Sequence, residues 1–145
     1  MAKQLGYACI NMTLGEEGIS CNRTMIRKTF DAKGIDYASE LIVSNMKNLL
    51  QLIHWNNENN IKVYRMSSNM FPWMSEYEFK DLPDYQEICE LLAAVGKLAM
   101  DNNQRLSFHP GQFCVLASPN ETVVLNAMNE LNKSAQIMDL MGLPK

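Results

Sequence analysis

The chain has 145 residues, 47% of them hydrophobic and 20% charged, which is enough for one modest domain with its own core. A formal net charge of −3 is not the footprint of a strong nucleic-acid binder, although it is silent about any one face. There is no apolar run of about 18 residues to span a membrane, and Met1-Ala2-Lys3-Gln4 lacks the apolar core of a signal peptide. A cytoplasmic protein without a membrane partner is therefore expected. Cys9, Cys21, Cys89 and Cys114 are widely spread and form no CxxC pair, so reduced thiols are expected rather than a zinc cage.

Taken in order, residues 4–9 read as a short first strand. The next twenty-odd residues, with Thr13, Gly15, Gly18, Ser20 and Asn22, read as a long loop. It carries a local basic set, Arg23, Arg27 and Lys28. The spacing of Ala38, Leu41, Ile42, Met46, Leu49, Leu50 and Ile53 predicts a helix with one buried face, capped by Asp36 or Ser39. Residues 61–66 read as a second strand, followed by a long loop with Ser67, Ser68, Pro72 and Pro83.

Ile88, Leu91, Leu92, Val95, Leu98 and Ala99 predict a second helix, with Asp84 as its cap. Residues 105–109 form a third strand that ends in a histidine. The loop after it closes at Ser118-Pro119-Asn120. Val124, Ala127, Met128, Leu131, Ala135 and Met138 predict the buried face of a third helix, with Gly142 and Pro144 as stop signals. Residues 142–145 read as the lead-in to another strand.

The order βαβαβα implies an α/β fold with parallel strands. Long βα loops and short αβ connections have the asymmetry of a (β/α) barrel with its site on the βα face. A complete barrel needs about 250 residues, so a partial barrel is expected, a fragment of a single domain covering residues 1–145.

Chemistry concentrates in Arg105-Leu106-Ser107-Phe108-His109-Pro110-Gly111-Gln112-Phe113. A histidine at a strand end can ligate a metal or move a proton near neutral pH. One histidine is not a metal site, and the only other one, His54, reads as structural or surface. Glu76, Glu78 and Asp81 offer oxygen donors suited to Mn²⁺ or Mg²⁺, or are simply a solvated loop. Tyr7 and Asn11 flank the end of the first strand and are either a core tyrosine and a turn asparagine or part of the same rim. Gln112 beside Phe113 can wedge into a base stack, unless the ring folds back into the core. Phe71 and Trp73 form a second aromatic group on a neighbouring loop. Such a face suits a nucleic-acid groove and equally a sugar pocket.

These stretches resemble the N-terminal half of the ultraviolet damage endonucleases, the UVDE or UvsE family. The resemblance rests on Leu5-Gly6-Tyr7, Asn11-Met12-Thr13-Leu14, Asn22-Arg23-Thr24, Tyr64-Arg65-Met66-Ser67-Ser68, Phe71-Pro72, the 105–113 stretch and Ala117-Ser118-Pro119. It implies a TIM barrel of the xylose-isomerase-like type, of which this chain holds about three βα units. It implies an endonuclease that uses divalent ions, typically Mn²⁺, to cut DNA on the 5′ side of a lesion, with damaged double-stranded DNA as partner and no obligate protein partner. By position, His109 matches a metal ligand. Gln112 and Phe113 match the pair that probes the duplex. Tyr7 and Asn11 match the lining of the damaged-nucleotide pocket and are the expected catalytic positions. Asn22 and Arg23 join the DNA-binding set. Where many members carry histidine a few residues after Phe-Pro, this chain has Met74-Ser75-Glu76, so Glu76 either substitutes as an oxygen ligand or that contact is absent. The family's remaining ligands lie on later strands. Two other readings stand beside this one: a sugar isomerase or epimerase on the same kind of barrel, and a non-catalytic, truncated α/β domain that associates through an open sheet edge.

Overall fold

The three short apolar runs pair as parallel strands, in a computed structural model that describes residues 2–144. The strands are β1 (Gly6–Ala8), β2 (Val63–Ser67) and β3 (Arg105–His109), in the order β1-β2-β3. Around them lie α1 (Met12–Glu16), α2 (Arg27–Glu58), α3 (Tyr85–Asp101) and α4 (Glu121–Leu140). Met1 and Lys145, the two ends of the expected domain, lie outside the described residues. Among the described residues no helix is long and apolar enough to cross a membrane.

Register decides which side chains share a face. Tyr7 pairs with Tyr64 and Tyr64 with Leu106, so these three point the same way. With Met66 and Phe108 they pack into the core against Ile42, Met46, Leu49 and Ile53 of α2 and Ile88, Leu92, Val95 and Ala99 of α3. Each fully buried Leu, Ile or Met contributes about 1.5–3 kcal/mol over leaving it exposed. The opposite face carries Ala8, Arg65 and Ser107 in one row and Ser67 and His109 in the next. Ala8, Arg65 and His109 are exposed.

The long loops are more ordered than their composition predicts. Asn11 caps α1 within the stretch read as loop, its Oδ1 accepting the Leu14 N–H at 2.9 Å. The β2–α3 connection holds three 3₁₀ turns, Ser68–Met70, Met74–Glu76 and Phe79–Asp81. Helix α2 begins at Arg27, ahead of the predicted start, and breaks at Gly34, whose φ of 68° and ψ of −160° are not helical. Arg27 and Lys28 are therefore helical residues. Neither Asp36 nor Ser39 caps α2, whose N-cap position is Ile26. Ser39 is buried, donates to Asp84 Oδ2 at 2.9 Å and accepts the Asp84 N–H at 3.0 Å. Asp84 occupies the N-cap position of α3 but makes no side-chain cap bond there.

Helix α4 corrects the predicted face. It buries Ala127, Lys133, Ser134 and Ile137, whereas Met128 is 48% exposed and Ala135 is exposed. The sequence offers two apolar stripes on this helix, and periodicity alone takes the more apolar one. Polar anchors choose the other. Lys133, 4% exposed, donates to Tyr77 O at 2.8 Å and to Glu78 Oε2 at 3.0 Å, with its ammonium 5.0 Å from the Phe79 ring centre.

Helix α3 packs closely against the C-cap of α4 at Gly96, where an added Cβ would lie 1.9 Å from Met141 O. Alanine normally stabilises a helix interior over glycine by about 0.5–1 kcal/mol. Here the sign reverses. Gly96→Ala is expected to lower unfolding free energy by about 1–3 kcal/mol through overpacking, read from urea denaturation. A gain in stability would contradict the close approach.

Candidate nucleic-acid interface

The carboxyl ends of the three strands form one rim, and His109 ends β3 on its open face. Its Nδ1 lies 2.9 Å from Pro110 O. A carbonyl can only accept, so this contact puts the proton on Nδ1 and leaves the Nε2 lone pair free. That is the tautomer by which histidine offers Nε2 to a metal.

The three βα loops meet at one groove. Thr24 and Met25 from the first, Phe71 and Trp73 from the second, and Gly111 and Phe113 from the third line a groove of about 400 Å³. Phe113 is 82% exposed and Gln112 is exposed, so the ring stands at the groove edge rather than in the core. Trp73 adopts left-handed backbone, with φ 56° and ψ 32°, a strained conformation for a bulky residue. Its indole N–H donates to Met25 O at 3.0 Å and so ties the first loop to the second. Its ring stacks on Phe30, with centroids 6.1 Å apart.

Glu76 does not approach His109 as a co-ligand. Its Oε1 accepts from Arg27 Nη1 at 2.6 Å. The Arg27 guanidinium also bonds Asp31 at 3.0 Å and lies 5.3 Å from the Trp73 ring centre. Among the described residues, no group of three His, Cys, Asp or Glu gathers to hold a metal ion. The chain supplies one well-oriented imidazole donor, not a complete site.

Tyr7 and Asn11 come together, but within the layer between sheet and helix. Asn11 Nδ2 donates to the Tyr7 hydroxyl at 2.8 Å, and that hydroxyl donates to Asn56 Oδ1 at 2.6 Å. The chain continues from Asn56 Nδ2 to Gln104 Oε1 at 2.9 Å and from Gln104 Nε2 to Asn57 Oδ1 at 2.9 Å. Burial pushes the Tyr7 phenol above its ordinary range, opposed by its hydrogen bonds with Asn11 and Asn56. Burial also raises Tyr64 and Tyr77. The four cysteines are free thiols, and burial raises those of Cys9, Cys21 and Cys114.

Asn22 and Arg23 divide. Asn22 faces a second cavity of about 240 Å³ shared with Cys9, Asn11 and Cys21, and accepts from the Ser20 hydroxyl. Arg23 is exposed, with its backbone N–H held by Asn45 Oδ1 at 2.9 Å and its Nη1 3.4 Å from the Ser44 hydroxyl. Sequence reasoning missed Arg65 and Glu130. Alternation of Tyr64 and Met66 with Val63, Arg65 and Ser67 carried the signal for Arg65, which shares the open face with His109. Glu130 lines the groove from α4, and nothing local in the sequence marks it.

Residues 3–145 match the family model described as UV-endonuclease UvdE. A protein of Acanthamoeba polyphaga mimivirus is 36% identical over 140 residues, which are 96% of this chain and 42% of that one. The UV-damage endonuclease of Schizosaccharomyces pombe is 35% identical over 142 residues, 97% of this chain and 23% of its own length. The crystal structure of SacUVDE superposes with a TM-score of 0.86 at 28% identity, covering 98% of this chain and 47% of that one. The chain thus spans less than half the length of these relatives, and its three βα units correspond to part of a (β/α) barrel.

Tyr7→Phe would leave Asn56 Oδ1 without its donor and Asn11 Nδ2 without its acceptor, at a cost of about 1–3 kcal/mol near pH 7. The raised phenol also makes the folded state hold its proton longer than the unfolded chain. Stability from Tyr7 is therefore complete below about pH 10 and lost as pH rises beyond it. Urea midpoints at pH 7 and pH 11 are expected to show lower stability for Tyr7→Phe at the first and a shallower alkaline loss than wild type. Parallel curves would remove the hydroxyl from the buried chain.

Proposed function

The chain belongs to the UV-endonuclease UvdE family, and we propose on that premise that it is the N-terminal part of a single-barrel DNA repair endonuclease. The enzyme would nick the phosphodiester 5′ to ultraviolet photoproducts and other distorting lesions in duplex DNA, with a cytoplasmic location. The observation that carries this reading is the pairing of Gln112 with a solvent-facing Phe113 at the groove edge, four residues past His109.

A damaged step costs less to unstack than an intact one. Phe113 fills the gap in the stack, while the Gln112 amide meets exposed base edges. Arg23 and Asn22 contact the backbone, which positions the duplex without reading sequence. Tyr7 and Asn11 shape the wall of the damaged-nucleotide pocket from the β1 end, through the turn they hold. His109 offers its Nε2 to a divalent ion, with Mn²⁺ the expected metal. Further donors would come from the relatives' length that this chain does not span. Such ions, when bound, supply an activated water and neutralise the leaving oxygen. Glu76 is the weaker candidate donor, because Arg27 already holds its carboxylate.

Nicking of irradiated plasmid by the full-length protein tests the reading, and a sugar isomerase would leave the plasmid intact. Phe113→Ala is expected to weaken binding to a lesion-bearing duplex about tenfold, in line with the worth of one base–aromatic stack. Unchanged lesion affinity would sink the wedge. His109→Ala is expected to cut nicking by about 100-fold while lesion binding persists. Full nicking by that variant would remove His109 from the metal set.

A further inference from the structure

The loop carrying Gln112 and Phe113 projects into solvent, and its hold on the protein body comes from α4. Glu130 Oε1 accepts the Gly111 N–H at 2.8 Å. The Gly111 carbonyl accepts the Cys114 N–H at 3.0 Å, closing a turn around the exposed pair. The Cys114 thiol in turn lies 3.6 Å from Ala127 O. The residue immediately before Gln112 is thus bonded through both its amide and its carbonyl, and the amide bond is to a charged acceptor. The approach is close, since a Cβ on Gly111 would lie 3.0 Å from the same Glu130 oxygen.

A carboxylate lining a groove meant for DNA works against phosphate binding. Its place there calls for a compensating role, and the bond to Gly111 supplies one. Charge-assisted hydrogen bonds are short and about twice as strong as neutral ones. Ordering a recognition loop before the partner arrives also reduces the entropy lost on binding.

We propose, resting on the endonuclease reading above, that Glu130 is a positioning residue whose carboxylate fixes Gly111 and thereby the aim of the Gln112–Phe113 pair. The quantity it sets is the preference for damaged over intact duplex. Glu130 touches no reacting atom in this role. It acts through the backbone of Gly111.

The test uses the full-length protein and duplexes with and without a single photoproduct. Glu130→Ala is expected to lower the damaged-to-intact affinity ratio about tenfold, the loss typical of one hydrogen bond to a charged group. The loss appears in KM and not in kcat. Glu130→Gln keeps a side-chain oxygen at Oε1 and is expected to recover most of the ratio. In a Phe113→Ala background, Glu130→Ala is expected to cost clearly less than it does alone, because one of the two side chains it aims is gone. Multiplicative losses in the double variant would overturn the proposal, as would a fall in kcat shared equally by Glu130→Ala and Glu130→Gln. Wild-type inactivity on irradiated plasmid would instead overturn the endonuclease reading. The latch is then read by the emission anisotropy of Phe113→Trp, which is expected to fall when Glu130→Ala is added; an unchanged value would overturn the latch itself.

Discussion

The ammonium of Lys133 sits inside the protein, and a buried charge must be matched or it unfolds its surroundings. It is matched by the Tyr77 carbonyl and the Glu78 carboxylate, both on the β2–α3 connection. That requirement sets the rotation of α4 about its own axis. With Lys133 turned inward, Asn129 reaches Ser75 O at 3.1 Å and Glu130 reaches Gly111 N–H. One helix therefore holds two of the three rim loops at once. Trp73 joins the remaining one by its bond to Met25 O. The groove exists because these loops are tied to helices and to each other rather than left to their own turns.

Much of this was legible in the chain. Short apolar runs and helical stripes placed the three strands and the inward faces of α2 and α3, since apolar burial alone decides those. Parallel pairing followed from the alternation of strands with helices. Phe113 and His109 were visible as a flat ring and an imidazole on either side of a Pro-Gly turn. What stayed hidden was settled by polar contacts between distant residues. Ser39 meets Asp84 across 45 positions and Lys133 meets Tyr77 across 56, and no local pattern encodes either. The same cause misled the reading of α4, where Met128 and Ala135 fit the period but Lys133 chose the face. The bond of Glu76 to Arg27, 49 positions away, was equally invisible in the local sequence.

The rim separates two kinds of task by how finished they are. On the proposed reading, the recognition elements all lie within these residues: an exposed ring, an exposed amide and a carboxylate bonded to their loop. For the proposed metal chemistry the chain offers one imidazole, with its Nδ1 proton directed at Pro110 O. The buried polar chain from Asn11 through Tyr7, Asn56 and Gln104 to Asn57 is structural support behind the rim. It satisfies amides that the packing of α2 on the sheet removes from water, and it anchors the β1–α1 turn at the rim.

The partnership of Arg27 with Glu76 and Asp31 has a bearing on ionic strength. A cation already neutralised by carboxylates displaces few counterions from a nucleic acid. Arg23 on the first loop, Lys28 in the first turn of α2 and Arg65 on the open sheet face are exposed cations. At about 0.9 counterions released per phosphate neutralised, those three would give log K a slope of about −2.7 against log salt. Were these the only phosphate contacts of the proposed complex, shape would weigh more than charge in its preference.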